Sequence, residues 1–288
     1  MLRYLRFVLP ALALLVIAGL VLPLIVRSRV NADRVRCQMH LRDLGLIGVR
    51  HASTPGRPMP SGSRAELPPG TFQTLSLPPA ERPSWVAYTL NVLNEGPPNP
   101  TPETKLRRTG TLTDAIAKFD PATAWNAPGN ADLASFRLTT ARCPAVATDP
   151  PAGGPAPTNY VATGGLGLAA PTKSIDEAGS GAGAYRYVGP TPDARITDGL
   201  RQTAQIIETT RDPGPWLQGG PSTLRGLDPA DLPYAGVGRP FGGCHPGGTY
   251  ASMADGSVQF LKDTIDPGIV RSMFTIAGGA GEFEFGEP

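Results

Sequence analysis

Twenty consecutive positions, Phe7 to Val26, carry no charged or strongly polar side chain. In a helix such a run rises about 30 Å, the thickness of a bilayer's hydrocarbon. Arg3 and Arg6 precede it, and Arg27 and Arg29 follow. A charge at the centre of a membrane helix costs about 3 kcal/mol, so these arginines frame the span. Pro10 and Pro23 stand near its ends, where a missing backbone hydrogen bond is easiest to absorb. The run exceeds the apolar stretch of about 7–15 residues in a secretory signal, and no small-x-small cleavage site follows before Arg27. The pattern predicts an uncleaved single-pass anchor through Phe7–Val26. Its flanking charges nearly balance, so the long polar remainder sets the expected orientation, with the N-terminus inside and the bulk outside.

Beyond the span, Val30, Cys37, Leu41, Leu44 and Gly48 recur mostly at spacings of three and four, while Arg34, Arg36, Arg42, Asp43 and Arg50 cover the other faces. That is an amphipathic helix continuing the anchor to about His51, where Pro55-Gly56 stops it. The expected organisation is an anchor over 1–30, a continuing amphipathic helix over 31–53, a globular domain over 54–277 and a flexible tail over 278–288. Within the globular part, 54–83, 96–104 and 147–157 are rich in Pro, Gly, Ser or Ala and read as loops. Leu112–Phe119 reads as a short helix, and Ser84–Leu93 as a short strand or helix. Strands are expected at Thr158–Thr163, Gln202–Thr209 and Val258–Leu261, with a further one at Thr249–Ala254. No repeat of fixed period is present.

Gly 35 and Pro 33 make up 68 of the 288 residues, close to the fraction at which low-complexity character begins. This favours one compact domain with long irregular connections. A net charge of +2, with no basic block interleaved with aromatics, argues against nucleic acid as a partner. Cys37, Cys143 and Cys244 are far apart and form no C-x-x-C pair, which argues against a zinc ribbon or a thioredoxin-like site. One disulfide with a leftover thiol, or three separate buried thiols, both satisfy that count.

These landmarks together resemble a bacterial family of prepilin-like proteins that carries the domain of unknown function 1559 and a C-terminal His-x9-Asp-Gly signature. His245-Pro246-Gly247-Gly248 begins the signature here, and Ala254-Asp255-Gly256-Ser257 ends it. Val258-Gln259-Phe260-Leu261 and Ile265-Asp266-Pro267 follow in place. Upstream, Cys37 with Leu41, Leu44 and Gly45 resembles the family's helix after the anchor. Phe119-Asp120 through Trp125-Asn126, Arg142-Cys143-Pro144, Asn159-Tyr160, Ile196–Gly199, Glu208 and Pro215-Trp216 fit in the expected order. The resemblance implies an α+β, pilin-like fold, in which a long N-terminal helix with a membrane-embedded first half packs on an antiparallel sheet with long Pro/Gly-rich loops. It implies a bacterial inner-membrane protein with an extracytoplasmic head, and a Cys37–Cys143 bridge. One departure stands out: prepilins have a Gly-Phe junction and a glutamate five residues into the mature chain, whereas here Arg6 precedes Phe7 and Ala11 takes the glutamate's place. Residues 1–6 are therefore expected to stay on the protein.

Catalytic chemistry has little support in the residues. His40 and His51 lie about 16 Å apart along the expected helix, too far to share a metal, and read as surface or packing residues. His245 and Asp255 would suit an acid/base pair, but His245, Gly247, Gly248, Asp255 and Gly256 read better as a structural hairpin, with His245 hydrogen-bonded to Asp255. Asp198, Glu208, Asp212 and Asp255 lack any calcium-loop spacing. The Gly-rich stretches at 164–167 and 179–183 lack the residues of a phosphate loop, and no Gly-x-Ser-x-Gly elbow occurs. Neither a catalytic nor a metal site is expected, nor any cofactor. The expected function is a membrane-anchored pseudopilin-like structural or interaction protein with protein partners in the envelope. The alternative is a module that recognises polysaccharide or another surface polymer, with Tyr88, Trp125, Tyr160 and Trp216 as stacking aromatics. A hydrolase is the third reading.

Overall fold

A computed structural model describes residues 2–46, 66–67, 70–71, 76–87, 110–146, 153–187 and 189–278. Side chains are described from residue 15 onward in the first helix, except 16 and 18, and from 114 onward in the second. His51, the Pro55-Gly56 stop, Tyr88 and the tail beyond Gly278 lie outside these residues.

One helix, α1 (Leu2–Gly45), opens the chain and is 44 residues long. It stops at Gly45, short of the expected His51, with Leu46 in a turn. The reason lies in the sheet beneath. Gln205 Nε2 donates to the Gly45 carbonyl at 3.1 Å, capping one of the carbonyls that a helix end leaves open. A Cβ at position 45 would collide with the Ser252 hydroxyl and the Gln205 amide, so a larger residue would have to push those side chains aside.

Among the described residues four short α-helices follow: α2 (Gly110–Ala117), α3 (Pro128–Ala134), α4 (Ile175–Ala178) and α5 (Pro267–Met273). The strands are β1 (Glu66–Leu67), β2 (Tyr160–Leu166), β3 (Thr191–Pro192), β4 (Ala204–Glu208), β5 (Leu224–Leu227), β6 (Gly248–Met253) and β7 (Val258–Lys262). β1 and β3 form a small antiparallel ribbon. The other five make one sheet in the order β5-β2-β4-β6-β7. Within it β2–β4, β4–β6 and β6–β7 are antiparallel and β2–β5 is parallel. The sheet is thus mixed, not wholly antiparallel as the resemblance implied. β5 enters on the outer side of β2 after the long 209–223 connection, which brings it back in the same direction.

Alternation along the strands sends side chains to two cores. Tyr160, Ala162, Ile206 and Tyr250 join Cys37, Leu41 and Leu44 of α1 on one face. Val161, Ile207, Ala251, Met253 and Leu261 join Val270, Met273 and Phe274 of α5 on the other. A bulge between Ala204 and Ile206 shifts the phase by one residue, which lets Ala204 and Ile207 share the α5 face. The result is three layers, α1, sheet and α5.

Asp266 caps α5 by accepting from the Gly268 N–H at 2.6 Å, and Pro267 occupies the first turn, where its missing donor costs nothing.

Candidate functional site

Four chain segments deliver one side chain each to a point between α1 and the sheet. Cys37 projects from the α1 face that also carries the buried Leu41 and Leu44, the i, i+4, i+7 spacing of a core-facing stripe. Cys143 follows the one-turn helix Thr139–Ala141, whose neighbour Arg142 offers its carbonyl to His40 Nδ1 at 3.1 Å. Glu208 is the last residue of β4, and His245 stands three residues before β6, bridged to Gly248. The sulfur, nitrogen and carboxylate atoms of the four all lie within 4.8 Å of one another.

Cys37 and Cys143 are joined as a disulfide with Cα atoms 5.5 Å apart, across a sequence separation of 106. This is the pair that the resemblance singled out. His245 Nε2 lies 3.5 Å from Cys143 Sγ and 3.2 Å from Glu208 Oε1. The second carboxylate oxygen accepts from the Tyr250 N–H at 2.8 Å and the Thr249 hydroxyl at 3.4 Å. A disulfide sulfur has no proton to give, so the tautomer with its proton on Nε2 is the one that satisfies both the sulfur and an acceptor oxygen of Glu208. The Tyr250 ring and the imidazole pack edge to face at a centroid distance of 5.2 Å.

The cluster is sealed. Cys37 and Glu208 are 0% exposed, Cys143 1% and His245 3%. A carboxylate so placed is sustained by its hydrogen bonds, since an unpaired buried charge costs several kcal/mol. Its field reaches the surroundings: burial and then Glu208 push the Cys244 thiol up, and burial, Glu208 and Cys244 push the Tyr160 phenol well up. Both stay protonated across the physiological range. The Tyr160 hydroxyl is buried without a hydrogen-bond partner among the described residues.

The structure separates His245 from Asp255, correcting the expected pair. Asp255 is exposed and accepts from the Ser257 N–H at 2.8 Å and its hydroxyl at 2.6 Å. Together with Gly256 at φ +84° it closes the β6–β7 turn, the Asx-and-glycine turn chemistry that its residue types imply. Gly247, also at positive φ, turns the chain into β6, and Gly248 begins that strand. Asp198 serves elsewhere too, accepting from Thr275 Oγ1 at 3.0 Å and the Gly278 N–H at 2.7 Å. The three carboxylates Asp198, Asp212 and Asp255 do not join Glu208 among the described residues.

Of the four candidate stacking aromatics, Trp125, Tyr160 and Trp216 lie within the described residues. Tyr160 and Trp216 are 0% exposed, and Trp216 Nε1 donates to the Phe136 carbonyl at 2.9 Å. Trp125 is half-buried against the core. Tyr160 and Trp216 are thus consumed in packing, while part of Trp125 remains exposed. Glu208 is the residue that sequence reasoning failed to place: 37 positions separate it from His245, and only the β4–β6 pairing brings them together. The one signal in the sequence is a lone charged residue closing an otherwise uncharged strand.

The fold and cluster define an α+β head closed around a buried sulfur, imidazole and carboxylate group, with a helix emerging from it. Residues 216–268 match the family model described as protein of unknown function (DUF1559), which places that segment in this family. It runs from Trp216 through β5, His245, β6 and β7 into α5. No curated protein and no solved structure matches the chain.

Proposed function

We propose that the protein is a membrane-anchored, extracytoplasmic pilin-like stem and head, structural or interacting and without catalytic activity. The carrying observation is the division of α1. Its C-terminal part is buried on the sheet through Cys37, Leu41 and Leu44, whereas Leu15, Ile17, Leu20, Val21, Leu22, Leu24, Ile25 and Val26 are exposed by 43–70%. A contiguous apolar surface of that extent needs lipid or another protein to cover it. Among the described residues no helix is long and apolar enough to cross a membrane. The anchor reading rests on the full run Phe7–Val26, whose first residues have undescribed side chains.

The non-catalytic reading is supported by closure, because a substrate cannot reach His245 or Glu208 without opening the core. Loops and the outer sheet edge are then the surfaces offered to envelope partners. The test is alkaline extraction of membranes holding the full-length chain, followed by protease treatment of intact spheroplasts. The expected result is retention in the pellet, digestion of the head from outside and protection of an epitope fused at Met1. Release at high pH, or a protected head, would overturn the reading. N-terminal sequencing is expected to return residues 1–6 intact, and a start at Phe7 would restore processing.

A further inference from the structure

We infer that Cys37, Cys143, His245 and Glu208 form a closed tetrahedral site for Zn2+ whenever the Cys37–Cys143 bond is reduced. All four are zinc ligand types, and their ligand atoms lie within 4.8 Å of one another. Zinc holds sulfur at about 2.3 Å and nitrogen or oxygen at about 2.0 Å, so the edges of its tetrahedron run roughly 3.3–3.8 Å. Two such edges already stand in the oxidised protein: 3.5 Å from His245 Nε2 to Cys143 Sγ and 3.2 Å to Glu208 Oε1. The sulfur–sulfur edge must lengthen, by breaking its bond, and the remaining edges, each within 4.8 Å, then close onto the metal.

The surroundings suit a structural site. The Tyr250 N–H and Thr249 hydroxyl hold the Glu208 oxygen facing away from His245, as outer-shell donors orient metal ligands. Burial of all four residues leaves no open position for water, the mark of a structural rather than a catalytic zinc. Cys244 is buried nearby but does not belong to the four.

The chemistry balances with a dithiol as reductant. The dithiol gives two electrons and two protons to the Cys37–Cys143 bond, leaving two protein thiols and its own disulfide. Zn2+ then displaces the two thiol protons to solvent, and His245 moves its proton from Nε2 to Nδ1, freeing Nε2 to coordinate. Two thiolates, the Glu208 carboxylate and Zn2+ sum to one negative charge. The same two segments are thus held together by a covalent bond under oxidising conditions and by metal under reducing ones. The inference concerns the head alone and does not depend on the anchor reading.

The test uses the full-length protein in detergent, oxidised or reduced, titrated with Co2+ as the spectroscopic stand-in and then with Zn2+. Reduced protein is expected to bind one equivalent, with tetrahedral d–d bands and a thiolate-to-cobalt charge-transfer band that Zn2+ abolishes. Oxidised protein is expected to show neither. Because the two samples share one sequence, no variant needs to fold for the comparison to count. His245→Ala and Glu208→Gln are each expected to weaken Zn2+ binding at least tenfold, and Cys244→Ser to leave the cobalt spectrum unchanged. Failure of the reduced protein to bind, equal uptake by the oxidised protein, an octahedral cobalt spectrum, or loss of the charge-transfer band in Cys244→Ser would each overturn the assignment.

Discussion

The two ends of α1 differ in how their apolar side chains are covered. Toward the C-terminus, Cys37, Leu41 and Leu44 are at most 2% exposed, while Val35 and Met39 on the opposite side are 54% exposed. Polar positions separate them: Arg34 donates to the Pro246 carbonyl at 3.0 Å and stacks over Phe260, and Arg36 pairs with Asp33. Among the described residues toward the N-terminus no such sidedness exists, and every large apolar side chain described from Leu15 to Val26 is exposed. A helix apolar on one stripe suits a sheet, whereas one apolar all round calls for cover on every side. The contrast teaches that one continuous element can carry two instructions, with Arg27 and Arg29 at the changeover.

The strongest challenge to this division is to cut the covalent tie. In metal-free buffer, the double change Cys37→Ser and Cys143→Ser is expected to lower the head's unfolding free energy by roughly 4–5 kcal/mol, the scale for closing a loop of about 100 residues. Denaturant titration reads this directly, and a loss under about 1 kcal/mol would mean the bridge adds little to packing.

Next in size is Leu41→Ala, which empties a fully buried site and is expected to cost about 3 kcal/mol. Leu20→Ala, on the exposed stretch, is its control: an equal loss from both would erase the distinction between the two parts of α1. Gly45→Ala would push a methyl group into Ser252 and Gln205 and is expected to cost about 1–3 kcal/mol by overpacking; a neutral result would show that the helix end is free to lift from the sheet.

The smallest effect concerns pH. His40 lies in the packed part of α1, its pKa held below 6.5 chiefly by burial, against the Arg142 carbonyl and Asp43, which raise it. The folded state therefore prefers the neutral ring. As pH falls below about 6.5 the unfolded chain takes up a proton first, so stability declines until the pH has passed the folded value. His40→Gln is expected to flatten that slope between pH 7 and 5, and an unchanged slope would locate the acid sensitivity elsewhere.

Much of the frame is legible in the residues because its signals are local. The stripe at Cys37, Leu41 and Leu44 gives the packed helix face. The runs around Thr158–Thr163, Gln202–Thr209, Thr249–Ala254 and Val258–Leu261 overlap four of the five strands in the main sheet. β5 escapes notice because Leu224–Leu227 is four residues long and contains both an arginine and a glycine. The early stop of α1 is hidden for another reason: apolar spacing continues to Gly48, but the carbonyl partner that ends the helix comes from Gln205, 160 residues away. Distance in sequence also hid the companion of His245. Asp255 had local turn chemistry to recommend it, whereas Glu208 acquires its role only through strand pairing.

The position of the disulfide along α1 has a mechanical consequence. Tension applied from the N-terminal side reaches the covalent link at Cys37 before it reaches Leu41 or Leu44. The load then passes through sulfur into the Cys143 segment, and the last two turns of α1 bear little of it. Apolar contacts resist shear poorly, one side chain at a time, while a covalent bond does not slide. The head is thus wired like a strain-relieved cable, with its clamp upstream of the delicate joint.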